Sequence, residues 1–295
     1  MQRRLNTIRG WCAAVALVAL GALMIVPAAS AHTGEWAKFN YCPSTNPEVW
    51  KCVHSVTQGG KVVLGNKDVP IVNPVTLQGG FSKPPKGQKF SKFFAATNGV
   101  TLQPVPQPVP GGLAGLVNCK EIDGWLLRGL CELTFENGLT GVDATLELAR
   151  PASEIVISQN NLVYEEGVAL TLPVKVHLEN PFLGSACYIG SSSEPLIWNL
   201  TTGETTPPAG TAPIHGASGE LSYPEEGAIS ELSGNKLVDN NWKAPGASGC
   251  GGVLFEWALN PILDLAVGVP SAAGKNTAIL ENQVAFAEAE SVNEH

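Results

Sequence analysis

The sequence predicts an all-β protein whose body is an antiparallel β-sandwich, similar to a jelly roll, with disulfide-stapled loops and at most short helices. Short stretches of alternating apolar and polar residues recur at intervals of roughly 10–20 residues, as in half-buried strands. Gly and Pro, 32 and 22 of the 295 residues, punctuate these stretches as turns. Apolar residues make up 44 % and charged residues 15 %, so the chain can fill a core. Many short strands divided by turns are typical of sandwiches.

Period-two alternation places the expected strands in order along the chain. Residues 62–64 and 69–72 flank a four-residue turn and predict a hairpin, which a strand at 75–77 continues. Further strands are expected at 144–149, 154–158, 168–178, 196–201, 253–257 and 277–289. Residues 261–267 favour one or two helical turns.

An extended connection interrupts this pattern. Prolines alternate at 104, 106, 108 and 110 and are followed by two glycines, a composition typical of a polyproline-like segment. The sequence leaves open whether the chain divides into two domains near 101–112 or whether this segment is an edge loop of one domain, 32–295.

The N-terminus has the three-part pattern of a secretory signal peptide. Three arginines precede the uncharged stretch 11–26, and small residues occupy Ala29 and Ala31. The apolar stretch is shorter than the roughly 20 residues that a membrane-spanning helix needs, and no later segment is apolar enough to predict an anchor. We therefore expect cleavage after Ala31, which removes residues 1–31 and releases a secreted, extracellular protein without a transmembrane anchor.

The cysteines predict a disulfide framework. Cleavage would remove Cys12 and leave an even number, which in an exported chain indicates paired cysteines. Of the 15 connectivities that six cysteines allow, the spacing favours sequential pairing. The expected bridges are Cys42–Cys52, Cys119–Cys131 and Cys187–Cys250. No Cys-x-x-Cys is present, which disfavours metal binding and thiol catalysis.

Three cysteine-containing segments carry a family resemblance. They are CPSTNPEVWKC at 42–52, NPFLGSACYIGSS at 180–192 and VDNNWKAPGASGCGG at 238–252, and the last is followed by VGVPSAAGKNTAIL at 267–280. In these segments the chain resembles secreted actinobacterial proteins of the Solirubrobacter kind, for which no function is assigned. The resemblance implies export, paired cysteines and a β-rich body, and it implies no catalytic residues.

One candidate metal site follows from the cleavage site. His32 would become the mature N-terminus, and its α-amine and ring could bind copper together with a second histidine. The candidate partners are His54, His177 and His215. The residues after His32 do not resemble those of copper oxygenases, and no hydrolase, phosphate-loop or zinc motif is present. We therefore expect no catalytic residue and no cofactor.

Charge and aromatic content limit the function classes. The net charge of −8 argues against nucleic acid as a partner. The first hypothesis is a non-catalytic binding or structural role at or outside the cell surface. One alternative is a module that binds a cell-surface glycan or lipid. It predicts either an exposed row of tryptophans or an apolar cavity. Without such a role, we expect the tryptophans to pack in the core. Another alternative is an extracellular enzyme, either a hydrolase or a copper enzyme using His32.

Overall fold

The computed structural model describes residues 31–112, 123–125, 128–129 and 141–295. In this part of the chain, fourteen strands form one antiparallel sheet, which confirms the predicted all-β fold class. The strands are β1 (Lys51–Leu64), β2 (Lys67–Pro70), β3 (Val75–Phe81), β4 (Ser91–Ala95), β5 (Pro106–Pro108), β6 (Asp143–Leu148), β7 (Val156–Ile157), β8 (Leu170–Glu179), β9 (Tyr188–Ile189), β10 (Leu196–Leu200), β11 (Glu220–Ser222), β12 (Ile229–Asp239), β13 (Ala247–Ser248) and β14 (Thr277–Glu288). The α-helices of the described residues are α1 (Gln159–Tyr164), α2 (Gly252–Val267) and α3 (Ala289–Glu294).

The sheet curls until it meets itself. Its strand order is β11-β12-β14-β1-β3-β4-β7-β8-β6-β5, and β10 pairs with the edge of β8 opposite to β6 and β7. Thr201, which follows β10, exchanges two backbone hydrogen bonds with Val238 of β12, at 3.0 and 2.9 Å. The strands therefore form a closed path with an inner and an outer face.

Each face of the curled sheet has its own hydrophobic core. On the inner face, Val53 of β1 lies opposite Phe286 of β14 and belongs to the larger core, together with Trp198 and Leu172. Because neighbouring strand residues point to opposite faces, Cys52 lies on the outer face. There it packs in a smaller core formed with the 3₁₀ helix Gly34–Phe39 and with α3.

Two of the three expected disulfides are present in the structure. Cys42–Cys52 ties the N-terminal segment to β1, and Cys187–Cys250 joins the segment before β9 to the segment before α2. Cys119 and Cys131 lie outside the described residues, as do residues 1–30. Within the described ranges, no helix combines the length and the apolar character that crossing a bilayer requires.

The strand expected at 253–257 is wrong, because these residues begin helix α2. Polar side chains one turn apart explain the difference. The backbone amides of residues 249, 250 and 247 donate hydrogen bonds to Glu256, Asn260 and Asp264, respectively. Side chains of the helix thus provide the acceptors for the loop that precedes it. Local apolar composition cannot reveal such tertiary bonds.

The hairpin expected near residue 65 is present with a shorter turn. β1 and β2 pair from Leu64 opposite Lys67, which leaves two turn residues, Gly65 and Asn66, in place of four. Gly65 has φ +55° and its Cα lies against the Val267 backbone, where an added Cβ would meet the carbonyl oxygen at 2.3 Å. Glycine is therefore required both by the backbone conformation and by the close approach to the end of α2.

The two described disulfides should contribute unequally to stability. The chain-entropy model gives about 4 kcal/mol for Cys187–Cys250, with its sequence separation of 63, and about 3 kcal/mol for Cys42–Cys52, with a separation of 10. We expect the paired variant C187A/C250A to lose more unfolding free energy in urea titration than the matched control C42A/C52A. Equal losses, or a larger loss in the control, would contradict this order.

Candidate functional site

A cleft of about 660 Å³ opens at one end of the curled sheet. Its lining comes from the start of β1, the end of β14, the start of β12, the residues at β11, helix α1 and the loop that precedes β4. Clefts of about 300–1,000 Å³ are the usual size for small-molecule sites. The cleft is therefore large enough for a ligand of several rings.

The floor of the cleft is the inner face of the sheet. Phe286 of β14 lies opposite Ser230 of β12, so both side chains point to the same face. Phe286 packs edge to face on Phe81, with ring centroids 5.9 Å apart, and Phe81 packs in the same way on Trp50, at 6.1 Å. This row of aromatic rings fixes the orientation of Trp50, which is partly exposed in the cleft.

A half-buried cation lies beside Trp50. The Nζ atom of Lys51 is 4.6 Å from the centre of the Trp50 ring, within the range of a cation–π interaction. Burial lowers the pKa of Lys51, and the nearby Glu288 carboxylate acts in the opposite direction. The ammonium group therefore lies at the cleft, over the Trp50 ring.

Helix α1 forms one wall, and its buried side is fixed by hydrogen bonds. The Ser158 hydroxyl accepts a bond from the Asn161 backbone amide, which caps the N-terminus of the helix. The Asn161 side chain donates to the Val168 carbonyl oxygen at 2.7 Å, and the Thr202 hydroxyl donates to the Asn161 carbonyl oxygen at 3.1 Å. The opposite side of α1 is left to line the cleft.

The end of α1 is tied to the strand across the cleft. Glu165 adopts a left-handed conformation (φ 59°) at the C-cap, and its Oε1 accepts a bond from the Ser218 backbone amide at 2.8 Å. This bond holds the pKa of Glu165 below its ordinary value. Ser218 lies shortly before β11, so the bond links the end of α1, where Tyr164 lies, to the segment that leads to Tyr223.

An ion pair at the rim of the cleft joins two different segments of the chain. The ammonium of Lys89, in the loop before β4, lies 2.7 Å from the Glu166 carboxylate after α1. Both side chains are exposed, so this ion pair contributes little to stability. The pair shows that the loop carrying Gln88 lies close to the end of the helix.

The side chains that face the cleft include two useful kinds, aromatic rings and amides. Tyr164 and Tyr223 are 67 % and 61 % exposed and, with Trp50, offer flat aromatic faces. Three side-chain amides also line the cleft, and none of them bonds to another described residue: Gln88, Gln159 and Asn160. Each amide can both donate and accept. This arrangement suits a ligand that has apolar faces and many hydrogen-bonding groups.

The sequence-predicted metal candidate lies outside this cleft. The His32 backbone nitrogen donates to Asn40 Oδ1 at 2.6 Å. His177 of β8 lies 3.5 Å from the carboxylates of both Glu147 and Glu179 on the outer face, and the ring of His215 contacts the adjacent Gly216 carbonyl. Within the described residues, no group of three or more His, Cys, Asp or Glu side chains could hold a metal ion.

The six tryptophans among the described residues do not form one exposed row. Trp36, Trp198 and Trp242 are buried, as core packing predicts, and Trp50 is partly exposed in the cleft. Trp125 and Trp257 are exposed elsewhere. The cleft tyrosines and amides have no shared sequence signal, although Tyr223 followed by Pro224 marks an aromatic residue in a turn, where exposure is common.

Comparisons with protein-family models, with curated proteins and with solved structures give no match.

Two adjacent asparagines test the anchoring of α1. We expect Asn161→Ala to lower the free energy of unfolding by about 1–3 kcal/mol, because it leaves the Val168 carbonyl without its donor. Asn160→Ala is the matched control and should change it by less than about 0.5 kcal/mol, because this side chain is exposed and bonds to no other described residue. Urea unfolding measures both, and equal effects would contradict the described wall.

Proposed function

We propose that this chain is an exported protein whose mature part, residues 32–295, binds a saccharide in the cleft without catalysing a reaction. The observation that carries the proposal is the combination, around one opening, of three aromatic faces with three side-chain amides that bond to no other described residue. A glycan of a cell surface or an extracellular matrix is the class of partner that this chemistry fits.

Sugar rings match both the aromatic and the amide side chains of the lining. A pyranose has a face of C–H groups with slight positive charge, which packs well on the negative face of an aromatic ring. Its hydroxyl groups each donate and accept, and Asn and Gln side chains do the same. Trp50, Tyr164 and Tyr223 would supply the stacking surfaces, and the amides together with Lys51 would bond the hydroxyls.

The lining favours binding over hydrolysis. Glycoside hydrolysis uses two carboxyl groups about 5–10 Å apart on either side of the bond that breaks. Among the described residues that line the cleft, none is Asp or Glu. The described lining therefore offers recognition groups without such a pair, and the Glu166 carboxylate at the rim is paired with Lys89.

Export is supported by two independent features. The two disulfides are consistent with an oxidising, extracellular compartment. The first 31 residues have the pattern of a signal peptide, and the resemblance to secreted actinobacterial proteins agrees with it.

The cleavage site gives a direct test of export. In a bacterial secretion host, we expect the protein recovered outside the cells to begin at His32 by intact mass and to contain no free thiol. Ala31→Leu keeps the apolar stretch but removes the small residue before the cleavage site, so its precursor should accumulate in cells. Recovery of material that begins at Met1 outside the cells would contradict cleavage.

The saccharide proposal is tested by binding. Cello-, xylo-, manno- and chito-oligosaccharides and the matching insoluble polysaccharides would be screened, and the best ligand titrated by calorimetry. We expect Tyr164→Ala and Tyr223→Ala each to weaken binding about tenfold, or ~1.4 kcal/mol, because a stacking face is lost. Asn160→Ala should weaken it about two- to tenfold through a lost hydrogen bond.

The chain offers matched controls for these variants. Tyr41→Ala removes an exposed tyrosine outside the cleft and should leave the affinity unchanged. Tyr164→Phe retains the stacking face and should keep most of the affinity. The proposal fails if no saccharide in the panel binds, or if the cleft variants bind as well as Tyr41→Ala.

A further inference from the structure

A second space lies inside the curled sheet, separate from the cleft. Its volume is about 100 Å³, and its described lining comes mainly from ten strands that surround the larger core. The deepest lining residues include Leu172, Ile189 and Trp198, which are buried. Protein interiors rarely leave a void larger than a water molecule, so a space of this size needs an explanation.

One side of the cavity is lined by partly exposed apolar residues. Val62, Val69 and Ile71 come from the β1–β2 hairpin, and Val105 and Leu146 come from the chain beside β5 and from β6. All five contribute to the cavity wall and also reach solvent. They mark an apolar route by which a small molecule could enter.

Most polar groups of the lining are already engaged. Gln107 accepts bonds from the backbone amides of Val72 and Asn73 and donates to the Asn73 carbonyl oxygen. Asn282 accepts a bond from the Thr57 hydroxyl at 2.6 Å. These side chains hold the wall together and do not favour a polar ligand.

The Ser55 hydroxyl differs from these engaged polar groups. Ser55 of β1 lines the cavity, and its hydroxyl makes no hydrogen bond to another described residue. Lys67 also belongs to the lining, but it is already engaged in an interaction within the protein. The available chemistry is therefore an apolar surface with one neutral donor and acceptor.

We propose that this cavity is a binding site for a small uncharged apolar molecule, about the size of one aromatic ring, with at most one polar group directed at Ser55. An apolar cavity of roughly 150 Å³ in another protein stays dry and binds benzene or xenon. A charged or strongly polar ligand would lose its hydration without gaining enough partners. The site is distinct from the saccharide cleft and does not depend on it.

Binding of xenon, benzene and phenol tests the proposal on the full mature chain. We expect ¹²⁹Xe resonances to show saturable binding, and benzene and phenol to raise the melting temperature in a dose-dependent way. Ala144→Leu places a larger side chain at the cavity wall and should weaken benzene binding at least tenfold. Ala209→Leu is the matched control on an exposed loop and should bind as the wild type does.

The serine has its own matched comparison. Ser55→Ala should weaken phenol binding severalfold and leave benzene binding unchanged, because only phenol can bond the hydroxyl. Ser153→Ala, on an exposed turn, should change neither. Equal loss of both ligands in Ser55→Ala would overturn the assigned polar contact.

Two results would overturn the site as a whole. These are the absence of xenon and benzene binding to the wild-type protein, and unchanged benzene binding in a folded Ala144→Leu variant. If Ala144→Leu does not fold, Leu146→Ala enlarges the same cavity and should bind benzene more tightly. An unchanged affinity in Leu146→Ala would equally overturn the proposal. Tyr164→Ala should retain benzene binding, which separates this site from the cleft.

Discussion

The backbone hydrogen bonds between Thr201 and Val238 close the sheet on itself, and the rest of the structure depends on this closure. Side-chain bonds reinforce the junction. The Thr201 hydroxyl donates to the Gly167 carbonyl oxygen at 2.6 Å, and the Asn199 backbone amide donates to the buried Asp239 carboxylate at 2.6 Å. Burial raises the pKa of Asp239, and its two backbone donors act in the opposite direction. Closure satisfies edge groups that would otherwise stay unpaired.

Closure also determines where the two concave sites lie. Along β1, Lys51 lines the cleft, Val53 packs in the core, and Ser55 lines the cavity. The same order holds on β14, where Phe286 lines the cleft and Asn282 the cavity, with Val284 between them. The sites thus occupy different levels of one enclosed space, and packed side chains separate them.

Sequence patterns predict the strands that obey a regular alternation. The strands β8 and β14 were predictable because buried and exposed side chains alternate along much of their length. The strand β12 was not, because a register shift between Leu232 and Asn235 interrupts the period. The helix α2 was also missed, since its start resembles an apolar strand and its helical state depends on side chains that bond to the preceding loop.

The cleft was less accessible to sequence reasoning than the fold. Only Trp50 among its aromatic residues belongs to a type that the sequence singled out, and the tyrosines come from segments more than 50 residues apart. The bond from Ser218 to Glu165 brings these segments together, and nothing local in either segment indicates it. A site formed by tertiary contacts between turns leaves no periodic or spacing signal.

The cleft and the cavity have one electrostatic property in common. The chain carries 26 acidic and 18 basic residues, yet the described linings of the cleft and the cavity contain no carboxylate. The outer face does carry acidic side chains, for example where Glu147 of β6 pairs with Lys175 of β8 at 3.0 Å. The overall negative field would repel an anionic ligand, whereas it does not oppose a neutral saccharide or hydrocarbon. By turning one face of the sheet inward, closure separates the concave surfaces, whose described linings hold lysines but no carboxylate, from the convex face, which carries ion pairs such as Glu147–Lys175.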